Sequence, residues 1–390
     1  MLELLSAEQR SALVELRRDF HRYPEIAHQE HRTAGVIAER LRRLGLDDVR
    51  TGVGRTGVVG VLRGGRPGKT VLLRADIDGL PLTETDRGQP YRSENVGVHH
   101  ACGHDGHTAI LLTVAELLVA RRSNLRGTVS FVFQPAEERV GGAEGMIQDG
   151  ALEPRPDACF GLHLWNELAV GKVDVRGGPI YASADAFHVT LSSPGGHAAM
   201  PHQVPDPLVA AAHLVIALQT LVSRDTPPME PSVLTIGSIH GGTAPNIIPA
   251  QVDLQGTLRA FEPAVRDKLL GRLRYLVDSV PALYGVQSRL QMTDSCPACI
   301  NDGPLAELVR RAAIGVVGID NVSSTQRTTG ADDMSLFLNA VPGCYFFVGG
   351  ANRERDLASP HHSPTFDFDE AALEVGVKTL LATALEFLES

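Results

Sequence analysis

Residues 58–76 read V-V-G-V-L-R-G-G-R-P-G-K-T-V-L-L-R-A-D. Two short apolar runs flank a segment punctuated by Gly64, Gly65, Pro67 and Gly68, which predicts two strands joined by a turn. On the N-terminal side, Leu13, Leu16 and Phe20 recur at helical spacing behind Ser6, Glu8 and Gln9, so a helix is expected from Ala7 to Phe20. A second helix is expected from His31 to Leu44, ending at Gly45. Downstream, the pattern predicts helix Thr108–Arg121, strand Thr128–Phe133, a short helix near Ala143 and strand Ala158–Leu164. Strands alternating with helices in this order predict an α/β layered fold.

The texture changes after Gly177-Gly178-Pro179. Phe187, Val189 and Leu191 alternate as a half-buried strand does. Helix Asp206–Val222, strands Ser232–Ile239 and Val252–Phe261, helix Pro263–Val280 and strand Gln287–Met292 follow. That order is that of a ferredoxin-like α+β unit. The expected organisation is therefore a discontinuous domain, 1–181 and 293–390, with a small domain inserted at 182–292. Helices Pro304–Val317, Asp332–Ala340 and Asp369–Leu388 and strand Gly343–Gly349 return the chain to the first domain.

Composition narrows the function. A chain of 390 residues with 43% hydrophobic content exceeds one simple core and is too apolar for disorder. A formal net charge of -10, with no basic block, argues against nucleic acid as a partner. Five cysteines, Cys102, Cys159, Cys296, Cys299 and Cys344, suit a reducing compartment better than a disulfide framework. The N-terminal stretch has an acidic residue where a leader needs a basic one, and no later apolar run is expected to approach membrane-spanning length, so a soluble cytoplasmic protein is expected.

Residues 98–109, V-H-H-A-C-G-H-D-G-H-T-A, concentrate Cys102, His99, His100, His104, His107 and Asp105. Thiolate, imidazole and carboxylate are the side chains that hold transition metals, and Gly103 and Gly106 let the chain turn sharply between them. Glu137 and Glu138 are adjacent in Q-P-A-E-E-R, directly after a strand. In an irregular loop one carboxylate can bind metal while the other takes a proton from water, the division of labour that metal-assisted hydrolysis needs. His163 ends an apolar strand, and His361 and His362 sit in S-P-H-H-S-P. The pair Cys296 and Cys299, in C-P-A-C, has no second cysteine pair and reads as two incidental thiols.

The ordered motifs D-F-H-R-Y-P-E, R-A-D-I-D-G-L-P, H-A-C-G-H-D-G-H-T, Q-P-A-E-E, G-L-H, S-P-G-G-H-A-A-M-P-H, A-P-N-I-I-P, T-G-A-D-D-M-S and H-H-S-P-T-F-D span essentially the whole chain. Together they resemble the zinc-metallopeptidase family that holds aminoacylase and carboxypeptidase G-type enzymes. The branch that the chain resembles most contains hippurate hydrolases, indoleacetyl-amino acid hydrolases and N-acyl-amino acid amidohydrolases.

The resemblance implies metal ligands Cys102, His104, Glu138, His163 and His362, with Glu137 as general acid/base. The wider family begins its site with His-x-Asp; here that strand reads Arg74-Ala75-Asp76, so the first His ligand is absent and the Cys-x-His pair compensates. Asp76 and Asp78 are then expected to orient an imidazole. Whether Cys102 or Asp105 bridges two metals stays open. The implied cofactor is a divalent metal, one or two per subunit: zinc or manganese, with cobalt and nickel as alternatives. The inserted domain resembles the family's dimerisation lid, which implies a homodimer or a dimer of dimers. His197 would reach the partner's site to stabilise an oxyanion, Asn246 would assist it, and Arg259 would bind a substrate carboxylate. The implied activity is hydrolysis of N-acyl-amino acids. A carboxypeptidase, a dipeptidase and a catalytically silent metal-binding protein are the alternatives.

Overall fold

The computed structural model describes residues 5–139 and 141–390. Met1–Leu4, part of the stretch read against a leader, lie outside them. Contacts divide the chain into two compact units: Met1–Gly178 with Ile300–Gln326 and Asp333–Ser390, and Pro179–Cys299 with Arg327–Asp332.

In the first unit, residues 58–76 do form two strands, Gly57–Arg63 and Arg66–Asp76, but the two are not neighbours. Strand Arg126–Gln134 lies between them, antiparallel to the first (Val61 opposite Ser130) and parallel to the second (Leu72 opposite Ser130). Among the described residues, eight strands make this sheet. Their order is Asp48–Val53, Gly57–Arg63, Arg126–Gln134, Arg66–Asp76, Ala158–Ala169, Gly343–Ala351, Val173–Asp174 and Val322–Ser323. Val71, Leu73, Phe131 and Phe133 join the main apolar cluster with Leu13, Phe20, Ile110 and Leu380. Leu72 and Val132 alternate with them and are equally buried, so the sheet is covered on both faces. Double coverage is why these strands read as unbroken apolar runs.

Helices Ala7–Arg22, His104–Val119, Gly303–Val317 and Ala371–Glu389 pack on one another, and Gly142–Gln148 packs on Met334–Ala340. Two boundaries differ from the sequence reading in ways that matter for the site. The helix expected at Thr108 begins at His104, because Gly103, at φ +90°, makes the left-handed turn from which the helix departs. The strand expected to end at Leu164 runs on to Ala169, so His163 lies within it rather than at its end.

The second unit is a ferredoxin-like sheet ordered Ser232–Gly241, Gln251–Ala260, Ala184–Ser192, Gln287–Cys296, with every neighbouring pair antiparallel. Phe187, Val189 and Leu191 point from one face onto helices Pro207–Leu218 and Pro263–Ala282, through Leu214, Leu218, Leu273 and Val277. The fold is thus an α/β layered domain with an inserted ferredoxin-like α+β lid. One expectation needs correction: Pro207–Asp225 is long and apolar enough by composition to cross a membrane, with mean hydropathy 1.4. Its Ala210, Ala211, Leu214, Leu218 and Leu221 belong to the apolar cluster of the second unit, which accounts for that composition.

Candidate metal centre

The first turn of helix His104–Val119 sets the geometry. His104 is buried, and its Nδ1 donates to the backbone oxygen of Asp78 at 2.9 Å, with the Asp78 carboxylate at 3.3 Å. With Nδ1 so engaged, Nε2 is the nitrogen turned to the loop after strand Arg126–Gln134, 3.9 Å from Glu137 Oε2 and 4.0 Å from Glu138 Oε1, and its lone pair is available to a metal that displaces its proton. Asp78 also positions that loop, accepting the backbone N–H groups of Glu137 at 3.2 Å and Glu138 at 3.1 Å.

From the other side, Cys102 Sγ lies 3.5 Å from His163 Nε2. His163 donates through Nδ1 to the Leu164 carbonyl at 2.6 Å, so its Nε2 also presents a lone pair. Glu138 Oε1 stands 3.3 Å from His362 Nε2. The ligand atoms of Cys102, His104 and His163 fall within 4.8 Å of one another, as do those of Cys102, Glu138 and His362. These are two overlapping donor sets that share the thiol.

The residues fit a divalent cation. His104 Nε2 and Glu138 Oε1 are buried without a hydrogen-bond partner, an arrangement that costs free energy unless an ion meets both. Burial disfavours a charged His104, but Asp76 and Asp78 outweigh it and raise its pKa to about 10. A field that holds a proton so firmly favours a cation in the same place. Burial, reinforced by His107 and His361, keeps His163 far below the usual imidazole range, hence neutral and able to ligate.

Several candidates take different positions from those expected. Asp76, for which the sequence singles out no particular imidazole, accepts His107 Nδ1 at 2.6 Å on Oδ1, while Arg74 donates to its other oxygen at 2.8 Å. His107 Nε2 in turn accepts the Leu164 N–H at 2.9 Å, which secures the strand beside His163. Asp105 is turned away from the cluster: Oδ2 receives Arg17 at 2.8 Å and His21 at 2.6 Å, and Oδ1 receives the Gly106 N–H. Adjacent helical residues diverge by about 100°, so His104 and Asp105 cannot serve one centre easily. His361, set aside in favour of His362, is the more buried of the two; it stacks on Trp165 at 4.7 Å and approaches Cys102 Sγ at 3.8 Å. His362, at φ +61°, is half exposed and anchored by its N–H to the Ala101 carbonyl.

Within the second unit, strand Gly196–His197 pairs with Ile247–Ile248, and the Ala198 N–H donates to the Asn246 carbonyl at 3.1 Å, so His197 and Asn246 are close neighbours. The His197 Nδ1 accepts the Ala199 N–H at 3.1 Å, which places its proton on Nε2. Arg259 lies opposite Val233 on strand Gln251–Ala260, half-buried between the core residues Leu258 and Ala260. Sequence reasoning gave no role to Glu30, whose carboxylate accepts the Ala136 N–H at 2.9 Å, or to Asp333, although T-G-A-D-D stands out as a motif.

The profile of peptidase family M20/M25/M40 matches residues 72–386. The chain belongs to this family. It is 38% identical over 379 residues to thermostable carboxypeptidase 1 of Saccharolobus solfataricus, covering 96% of this chain and 95% of that one. It is 37% identical over 380 residues to the N-acetyl-L-cysteine deacetylase of Bacillus subtilis, covering 97% and 88%. The crystal structure of the Bacillus subtilis YxeP protein, a dinuclear metal-binding peptidase of the M20 family, superposes with a TM-score of 0.87 at 30% identity, covering 99% and 100%. The M20 chain described here is therefore a hydrolase, a metallo-amidohydrolase of this family, with candidate metal-ligand groups among its described residues.

Proposed function

We propose that the protein hydrolyses the amide bond of N-acyl-amino acids, releasing a carboxylic acid and a free amino acid. The observation that carries this reading is the adjacent Glu137–Glu138 pair at the donor cluster. Both carboxylates lie beside His104 Nε2 and both backbones are held by Asp78, while Glu138 Oε1 also faces His362 and belongs with it and Cys102 to a second donor set.

Cys102, His104, Glu138, His163 and His362 hold one or two divalent cations, zinc or manganese, with cobalt and nickel as substitutes; Asp78 orients His104. When bound, the metal supplies Lewis acidity at the carbonyl and makes water more acidic. Glu137 takes a proton from the attacking water and returns it to the leaving amine. His197, with its proton on Nε2, donates to the tetrahedral oxyanion in the partner subunit's site, and the Asn246 amide assists. Arg259 binds the substrate carboxylate through its planar fork. A homodimer, or dimer of dimers, in the cytoplasm is the matching assembly. Exposed Leu208, Val209, Ile216, Val233 and Ile239, the last two on the edge strand Ser232–Gly241, support pairing through the lid.

Carboxypeptidase activity is the second reading, favoured by the name of the Saccharolobus relative. A panel of acetyl-, benzoyl- and indoleacetyl-amino acids beside dipeptides and longer peptides, with and without chelator, separates the two. Chelator-sensitive turnover of acyl-amino acids is expected; turnover confined to peptides sinks the proposal.

A further inference from the structure

We infer that Asp333 is a positioning residue for the Glu137–Glu138 pair, an inference that rests on the role proposed above for these two carboxylates. Asp333 lies about two hundred residues further along the chain and is buried. Its Oδ1 accepts Gln134 Nε2 at 2.6 Å and Arg74 Nη2 at 3.2 Å, and its Oδ2 accepts the Ala143 N–H at 2.9 Å. Gln134 is the last residue of the strand before Pro135–Glu138, and Ala143 is in the first turn of helix Gly142–Gln148. One carboxylate thus ties together the two flanks of the segment that carries the proposed base and ligand.

Two further observations point the same way. A Cβ built on Gly142 would lie 1.8 Å from the Pro135 carbonyl oxygen, so the start of that helix touches the backbone of the carboxylate loop, and glycine alone permits the contact. Arg74, besides meeting Asp333, donates through Nε to Gln134 Oε1 at 2.8 Å and through Nη1 to Asp76 at 2.8 Å. The Gln134 amide is therefore held at both ends, its oxygen by Arg74 and its nitrogen by Asp333. A row of buried charged groups, Asp333, Arg74 and Asp76, runs from the carboxylate loop to His107. The two oxygens of the Asp333 carboxylate serve different flanks, Oδ1 the strand end at Gln134 and Oδ2 the helix start at Ala143.

Displacements of about 1 Å in a catalytic group cost roughly 10²-fold in rate, and lost outer partners of a metal site cost roughly 10- to 100-fold in affinity or activity. Asp333→Asn keeps size but presents an N–H₂ group to one of the two flanks. Gln134→Met removes both ties of the Gln134 amide, to Arg74 and to Asp333, and leaves the Arg74–Asp333 pair intact. Both are to be made in the full chain, loaded with Co²⁺, and compared for visible absorption, Co²⁺ affinity, thermal midpoint, and kcat and KM on an N-acetyl-amino acid. The expected result for Asp333→Asn is a kcat lower by about 10²-fold, KM within a few-fold of the parent and an altered cobalt spectrum. Gln134→Met should move kcat and spectrum in the same direction by about tenfold or less.

Wild-type kcat and spectrum per folded, cobalt-loaded chain in both variants, with only the thermal midpoint lowered, overturn the inference. If Asp333→Asn does not fold, Gln134→Met alone decides it by the same criteria. If the parent turns over no acyl-amino acid yet both variants alter the cobalt spectrum, the proposed function fails and the positioning role stands.

Discussion

His104 Nδ1 lies 2.9 Å from the backbone oxygen of Asp78, and that bond turns its other ring nitrogen, Nε2, toward Glu137 and Glu138. Because the Asp78 carboxylate also accepts the N–H groups of both glutamates, one residue aligns both sides of the donor cluster. Asp78→Ala is expected to weaken divalent-metal binding by roughly 10- to 100-fold. Competition titration against a metallochromic chelator measures this, and an affinity equal to that of the parent refutes the role.

Glu137→Gln keeps the shape of the side chain and removes the base. Turnover is expected to fall by roughly 10²- to 10⁴-fold, the usual worth of a general acid/base, while bound metal per chain stays at the parent level. Glu138→Gln should instead lower metal content. The reverse pattern, metal lost from the Glu137 variant and kept in the Glu138 variant, exchanges the two assignments.

His197→Ala homodimers should be inactive if the proposed shared site is correct. Mixing them with Glu137→Gln subunits should restore part of the activity, since a heterodimer contains one site with both an intact base and an intact His197. Absence of recovery, once subunit exchange is verified by mass spectrometry, rules out a shared site.

Chelation is expected to abolish activity and to lower the unfolding free energy. A ligand present at about a thousand times its Kd stabilises the native state by about 4 kcal/mol. Thermal midpoints with and without chelator report the loss, and identical midpoints argue against a cation held by these residues.

Behind the donor cluster, His21 is buried between Glu84, at 3.1 Å, and Asp105, at 2.6 Å. Burial and Arg17 oppose its charge, yet Asp105 and Glu84 outweigh them and raise its pKa from 6.5 to about 9. Burial pushes Glu84 upward, but His21 outweighs it, and the pKa falls from 4.5 to about 2. The raised base stabilises fully below 6.5 and ceases to do so as pH rises through about 9. The depressed acid stabilises fully above 4.5 and ceases to do so as pH falls through about 2. His21→Gln should therefore cost roughly 3–5 kcal/mol near pH 6 and less at about pH 10. Denaturant unfolding at both values tests this; a cost independent of pH rejects the charged form of His21.

The local pattern was enough to reveal much of this molecule. Apolar runs bounded by glycine and proline marked the strands, because strands covered on both faces leave no polar positions, and the alternation at Phe187–Leu191 marked a sheet covered on one face. Cys102 and His104, or Glu137 and Glu138, were legible because neighbours in sequence are neighbours in space. Tertiary structure alone decided that Gly57–Arg63 and Arg66–Asp76 are separated by a strand from later in the chain, since strand order is set by pairing between distant segments. It also decided which of two adjacent side chains faces the donor cluster. Gly103 starts the helix at His104, and rotation along that helix carries Asp105 away to Arg17 and His21. The roles of Asp333 and Glu30 were illegible for the same physical reason: even where a motif such as T-G-A-D-D stands out, nothing at a carboxylate's own position says which distant loop's N–H groups it accepts.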